Sequence, residues 1–274
     1  MGRQDPALPG TQSAQAMFRL NGRVAFVSGA SGNLGTAMTR ALAAAGAHVI
    51  VNARDEARLK SFEEVLRADG FSVERAAFDV ADAEQARAFF ARRERMDVLV
   101  NNAISMTPKP IDRIEASDFA LTYASAVTAT FEIVRAARPA LRAAAQASGE
   151  ASIINVASMY GLVSPDARLY SRPDQASPFH YGPAKAAVLQ LTRHLAAELG
   201  PENIRVNALV PGPFPRLETI ERDPEFAARL AARTMLGRLG TAEEMAGPLL
   251  FLASHASSFM TGQALTVDGG WTAW

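Results

Sequence analysis

The chain has no cysteine. That excludes disulfides, thiolate metal sites and a cysteine nucleophile. It has no excess of either charge, because 28 Lys and Arg offset 28 Asp and Glu. Nucleic acid is set aside as a main partner, since phosphate binding needs a positive surplus. Histidine is scarce, and His48, His180, His194 and His255 are too scattered for a zinc site, so no metal is expected. No run reaches the ~18 uninterrupted apolar residues of a membrane span, so no membrane partner is expected. The opening stretch, MGRQDPALPGTQSAQAM, lacks the apolar core of a secretory signal. Residues 1–17 are expected to form a disordered tail, and the setting is expected to be cytoplasmic.

What remains is a chain of 274 residues, 49% apolar and 20% charged, long enough to bury a core without covalent staples. Short apolar runs alternate with helical patterns. Strands are expected over 24–28, 49–51, 73–78, 97–101, 152–156, 205–210 and 265–267. Helices are expected over 36–45, 55–68, 82–93, 117–147 and 184–199. A last helix is expected from Thr241, with Glu244 as its capping-box partner. This alternation predicts one α/β domain over 18–274, a doubly wound fold with a parallel sheet of about seven strands.

The first strand runs into Ser28-Gly29-Ala30-Ser31-Gly32-Asn33-Leu34-Gly35 and then into a helix. Glycines permit a tight turn and close backbone approach, and a helix N-terminus offers free N–H groups to a pyrophosphate. The plain alternative is a β–α turn with no ligand. The flanking strand and helix favour a dinucleotide. The second strand runs out through Ala53 and Arg54. An acid there would accept hydrogen bonds from a ribose 2′-OH, whereas a guanidinium can pair with a 2′-phosphate. Arg54 therefore favours NADP over NAD, with NAD kept open. The alternative is a solvated surface arginine, with Asp55 weakening the local field.

Tyr181 and Lys185 stand four apart, on one face of a helix. Pro183 is tolerated only in a first helical turn, which puts Tyr181 at the helix start. A nearby ammonium is expected to lower the phenol pKa, with the helix dipole acting the same way. The plain alternative is an ordinary amphipathic helix. Ser158 lies just beyond the 152–156 strand, at the sheet edge where ligands bind in this architecture. A serine hydrolase is the competing reading, but no G-x-S-x-G elbow surrounds Ser158.

Together these motifs resemble the short-chain dehydrogenase/reductase family over residues 18–274. Asp79-Val80, Asn101-Asn102-Ala103, Arg205-Val206-Asn207-Ala208, Pro211-Gly212, Thr261-Gly262 and Val267-Asp268-Gly269-Gly270 add to the likeness. The C-terminal part is similar to bacterial gluconate 5-dehydrogenase-like and 3-oxoacyl reductase-like members. The resemblance implies a Rossmann-like fold and hydride transfer between NAD(P) and a small-molecule carbonyl or alcohol. It makes Tyr181 the general acid and base, Lys185 the ribose ligand and Ser158 the carbonyl polariser. It places Asp79 and Val80 at adenine and Asn101 in the cofactor cleft. It extends the cofactor set to Gly29, Ser31, Gly32, Asn33, Leu34, Gly35, Ala103, Pro211 and Gly212. It also implies a homo-oligomer, tetramer or dimer.

Four departures stand out. Asn33 replaces the usual glycine at the sixth loop position, and its tolerance of left-handed geometry predicts a modest change. Ile104 replaces a glycine and is expected to crowd the nicotinamide side. Aligning on Phe131 puts Ala126 where an asparagine usually serves the proton relay, with Ser125 adjacent. Finally, Ser158 and Tyr181 are 23 positions apart, against about a dozen in the family pattern. The extra segment, 162–179, is expected to shape substrate choice; an inert excursion is the alternative. Met159, Tyr160, Tyr170, Phe179, Phe214 and Leu217 are candidates for an apolar pocket or for plain packing. Arg168, Arg172 and Arg216 are the cations available to an anionic group. Trp271 and Trp274 fit either a subunit interface or the chain's own core. The leading expectation is an NADP-preferring oxidoreductase. The alternative is a non-catalytic dinucleotide-binding regulator or scaffold, which Ala126 and Ile104 favour.

Overall fold

A computed structural model describes residues 13–171 and 176–274. Seven strands form one sheet: β1 Val24–Ser28, β2 His48–Ala53, β3 Val73–Ala77, β4 Val98–Asn101, β5 Ala151–Val156, β6 Ile204–Pro211 and β7 Ala264–Val267. Their order is β3-β2-β1-β4-β5-β6-β7, and every pairing is parallel. The α-helices are α1 Asn33–Ala44, α2 Glu56–Ala68, α3 Ala83–Phe90, α4 Ala116–Tyr123, α5 Ala129–Ser148, α6 Tyr181–Leu199, α7 Leu217–Arg222, α8 Pro224–Ala232 and α9 Ala246–Ala253.

Both faces of the sheet are apolar, as all-parallel packing requires. One face packs Phe26, Leu99 and Ile153 against Ile133, Leu141 and Leu199 of α5 and α6. The other packs Val27, Val49 and Val100 against Met38, Leu66 and Leu249 of α1, α2 and α9. The strand order reverses between β1 and β4. The crevice at the carboxyl ends there is where this architecture binds ligands.

Local chemistry sets the helix starts. Asp55 accepts from the Arg58 N–H, and Asp82 from those of Glu84 and Gln85. Thr241 and Glu244 form the expected capping box, but a 3-10 turn, Ala242–Met245, precedes the short α9. The helix expected over 117–147 is interrupted. Residues Ala124–Thr128 form a π-turn between α4 and α5. Buried Ser125 sits in that turn, its hydroxyl bonded to the Ser105 backbone, so a tertiary contact holds the irregular geometry. Of the tail assigned to 1–17, residues 1–12 lie outside the described ones, and Ala16–Phe18 form a 3-10 turn. Among the described residues no helix is long and apolar enough to cross a membrane, and no group of three His, Asp or Glu could hold a metal.

Candidate active site

The loop from β1 to α1 is built by backbone. Gly29 has φ +63°, and a Cβ there would lie 3.1 Å from the Ala103 Cα. A Cβ on Gly35 would lie 2.1 Å from the Gly29 carbonyl oxygen, closer than atoms can pack. Asn102 locks this loop to the end of β4, its amide donating to the carbonyls of Ser28 and Gly29 at 3.0 and 3.1 Å. The Ser28 hydroxyl accepts from the N–H groups of Asn102 and Ala103.

These elements border a cleft of about 640 Å³. Gly29, Ser31, Gly32, Asn33, Leu34, Gly35, Arg54, Asp79, Val80 and Ala103, expected as cofactor contacts, line it. Five residues expected to touch the cofactor do not line it: Asn101, Pro211, Gly212, Tyr181 and Lys185. Asn101 is buried in the sheet and donates its amide to Asn155 at 2.9 Å; Asn102 takes the place in the wall. Pro211 is the buried end of β6. A Cβ on Gly212 would meet the Asp268 Cα at 2.4 Å, so this glycine serves packing against β7.

Arg58 and Arg216 also line the cleft, and neither was placed there from sequence as a cofactor contact. Arg58 lies in the first turn of α2, whereas Arg54 precedes that helix, so no regular spacing linked the two. Its guanidinium donates to the Ser31 carbonyl at 2.6 Å. Arg54 approaches Asp79 at 3.8 Å. Asp55 is occupied as the α2 cap. Asn33 is the first residue of α1 and has no positive φ, so its left-handed tolerance is not used. Its amide instead donates to the Phe214 carbonyl at 3.1 Å, tying the glycine loop to the segment after β6.

Ser158, Tyr181 and Lys185 meet beyond the carboxyl end of β5. Ser158 caps a 3-10 turn, Met159–Gly161, that lies against the start of α6. A Cβ on Gly182 would be 2.9 Å from the Tyr160 carbonyl oxygen, so the approach needs glycine. Tyr181 opens α6, as Pro183 required. Its phenol does not show the expected depression: burial pushes the pKa up, and the Ser158 hydroxyl opposes that rise. Lys185 is buried, and its ammonium donates to the Val156 carbonyl at 2.6 Å. Desolvation pulls its pKa down to about 8. Its Nζ is 5.8 Å from the centre of the Tyr181 ring.

The departures Ile104 and Ala126 share one apolar cluster with Ala157 and Ala184, which directly precede Ser158 and Lys185 respectively. Ile104 therefore both walls the cleft and packs against that cluster. Ser125 faces the cleft, not away from it.

The described part of the 162–179 segment folds onto α8. Leu169 packs with Met159, Leu230 and Trp271, and the Leu169 carbonyl accepts from Arg229 at 2.8 Å. The hydroxyls of Tyr160 and Tyr170 bond at 2.8 Å, and burial raises both phenols. Phe179 and Leu217 are exposed, and Phe214 covers Gly240. Arg168 pairs with Asp166, whose pKa it lowers to about 2. Arg172 lies outside the described residues. Trp271 is buried in its own chain, whereas Trp274 is exposed and donates to the Arg233 carbonyl.

A family model described as enoyl-(acyl carrier protein) reductase matches residues 29–272. The chain is 34% identical over 263 residues to gluconate 5-dehydrogenase of Gluconobacter oxydans, covering 93% of this chain and 97% of the relative. It is 34% identical over 259 residues to the rhamnolipids biosynthesis 3-oxoacyl-[acyl-carrier-protein] reductase of Pseudomonas aeruginosa, covering 92% and 97%. Among solved structures, a gluconate 5-dehydrogenase from Burkholderia cenocepacia in complex with NADP and tartrate superposes with a TM-score of 0.83. That match has 34% identity and covers 95% of this chain and 99% of the other. The parallel sheet, the glycine cradle and these matches agree: the chain belongs to the short-chain dehydrogenase/reductase family.

Proposed function

We propose that the protein is an NADP-dependent oxidoreductase acting on a carbonyl or secondary alcohol of a small molecule. The observation that carries this reading is the Ser158–Tyr181–Lys185 group at the sheet edge, beside a glycine-built cleft with Arg54 and Arg58 at one end. The cradle suits a dinucleotide, because a glycine at 35 lets the loop fold tightly against the Gly29 carbonyl and bring the N-terminus of α1 to the cleft. Ser31, Gly32, Asn33, Leu34 and Gly35 would hold the diphosphate. Asp79 and Val80 would hold the adenine, with Ala103 further along the wall. Arg54 and Arg58 would take a 2′-phosphate, which favours NADP over NAD. When bound, the cofactor supplies or accepts the hydride.

The protein's own residues handle the proton. The half-buried Tyr181 phenol, its pKa raised by desolvation, holds its proton at neutral pH. In reduction it would donate that proton to the carbonyl oxygen, and in oxidation it would take one up. Ser158 donates a hydrogen bond to the same oxygen as negative charge builds there. Lys185, held by the Val156 carbonyl, sets a cation 5.8 Å from the centre of the Tyr181 ring and would hold the nicotinamide ribose. Tyr160 and Tyr170, fixed by the 162–179 segment, border the substrate side, so this segment shapes substrate choice. The protein works as a homo-oligomer, a dimer or tetramer, a reading supported by exposed Leu121 and Phe131 on neighbouring helices.

The test is NADPH oxidation against a carbonyl panel spanning keto-sugar acids and 3-oxoacyl thioesters, with NADP and NAD titrations alongside. Turnover of at least one class and tighter NADP binding are expected. Tight NADP binding with no turnover on any compound would favour the regulator.

A further inference from the structure

His180, the residue before Tyr181, is fully buried. Its Nδ1 lies 2.9 Å from the Thr122 hydroxyl, and its Nε2 has no partner among the described residues. The edge of Phe119 packs against the ring, 5.8 Å between centroids. The Thr122 oxygen is also 3.1 Å from the Ser105 carbonyl, which can only accept. Thr122 has one proton, and both contacts are hydrogen bonds only when it goes to that carbonyl. His180 must then donate from Nδ1, which leaves Nε2 bare. A bare buried acceptor is unfavourable, and an apolar ring would fill the space without it. The imidazole is therefore there for its Nδ1–H.

The contacts continue. The Ser105 N–H donates to the Ser125 hydroxyl at 2.9 Å. The backbone of Ser105 is thus held from both sides, by the end of α4 and by the π-turn. Ile104, Ser105 and Ser125 all wall the cleft. A continuous polar chain runs from the residue before Tyr181 to that wall.

We propose that His180 is a positioning residue that holds the Tyr181 end of α6 in register with the 103–105 wall through Thr122. This rests on the reading of Tyr181 as the proton-transfer group. While His180 donates, the Thr122 proton is free for the Ser105 carbonyl, so one chain of hydrogen bonds joins the start of α6 to the cleft wall.

The test compares paired variants in the full chain. His180→Phe keeps a ring but no donor, and His180→Asn keeps a donor near Nδ1. Thr122→Val removes the hydroxyl, and Thr122→Ser keeps it. His180→Phe and Thr122→Val should each lower kcat about 10- to 100-fold, with NADP affinity within about threefold. His180→Asn and Thr122→Ser should retain most of kcat. The double variant His180→Phe/Thr122→Val should be no worse than either single one. Nitrogen-15 histidine NMR on cofactor-free protein should show His180 protonated on Nδ1. Equal losses in His180→Phe and His180→Asn, additive losses in the double variant, or an Nε2-protonated ring would overturn the proposal. If the wild type reduces no carbonyl, the proposed function fails. The NMR then decides the polar chain by itself: Nδ1 protonation upholds it and Nε2 protonation refutes it.

Discussion

The two lips of the cleft are built from different materials. The β1–α1 lip is backbone: its shape depends on the absence of side chains at Gly29 and Gly35, and Asn102 clamps it from below. The β5–α6 lip is side chain: a serine cap, a phenol, a buried ammonium and an inserted segment held by a tyrosine pair. A backbone lip admits almost no variation and binds a constant ligand. A side-chain lip can be retuned residue by residue, which suits the half proposed to choose a substrate and move a proton.

If that division holds, changes on the side-chain lip should cost turnover, and changes on the backbone lip should cost cofactor binding. The largest effect is expected from Tyr181→Phe. It should lower kcat about a thousandfold while NADP still binds, as steady-state kinetics and titration would show. Gly35→Ala comes next. Its Cβ would start 2.1 Å from the Gly29 oxygen, so the loop must shift. NADP affinity should fall about 10- to 100-fold by calorimetry. Arg58→Ala should weaken NADP about tenfold and leave NAD unchanged, which narrows the 2′-phosphate contact.

The Lys185 prediction concerns stability. Its folded pKa is about 8, against the ordinary 10.5. Below pH 8 both folded and unfolded chains hold the proton, and the burial penalty is complete. Between about 8 and 10.5 only the unfolded chain holds it, so stability from this group rises with pH. The urea-denaturation advantage of Lys185→Met over wild type should therefore shrink across that range; a pH-independent difference would contradict it. The smallest effect is expected from Asn33→Gly. It removes the side-chain bond to Phe214 but keeps the backbone N–H that position 33 brings to the cradle, and should weaken NADP only a few-fold.

The same contrast explains what could be read beforehand. A backbone lip leaves glycines at fixed spacing, and the loop 29–35 was legible for that reason. So were all seven strands: the five inner ones, apolar and buried on both faces, stand out between helical periods, and the edge strands β3 and β7 are short runs of the same kind with less burial. Tyr181 at a helix start followed from Pro183 alone. The π-turn left no such mark: an Ala/Ser-rich run fits α-helical periodicity, and only the contact to Ser105 reveals the break. The His180–Thr122–Ser105–Ser125 chain joins residues up to 75 positions apart, from 105 to 180, and none of them carries a recognisable spacing. The upward shift of the Tyr181 phenol was missed for a similar reason. A helix wheel shows the neighbouring lysine but not the burial, nor the carbonyl onto which that lysine turns.

The most direct test of the account uses NADPH carrying deuterium at the nicotinamide C4 position, incubated with the wild-type protein and each member of the carbonyl panel. Mass spectrometry of the products reads where the label goes. The account predicts a deuterium on the new carbinol carbon of at least one product, absent when Tyr181→Phe replaces the wild type. Saturated cofactor with no label in any product would contradict it and leave a protein that binds the dinucleotide without using it.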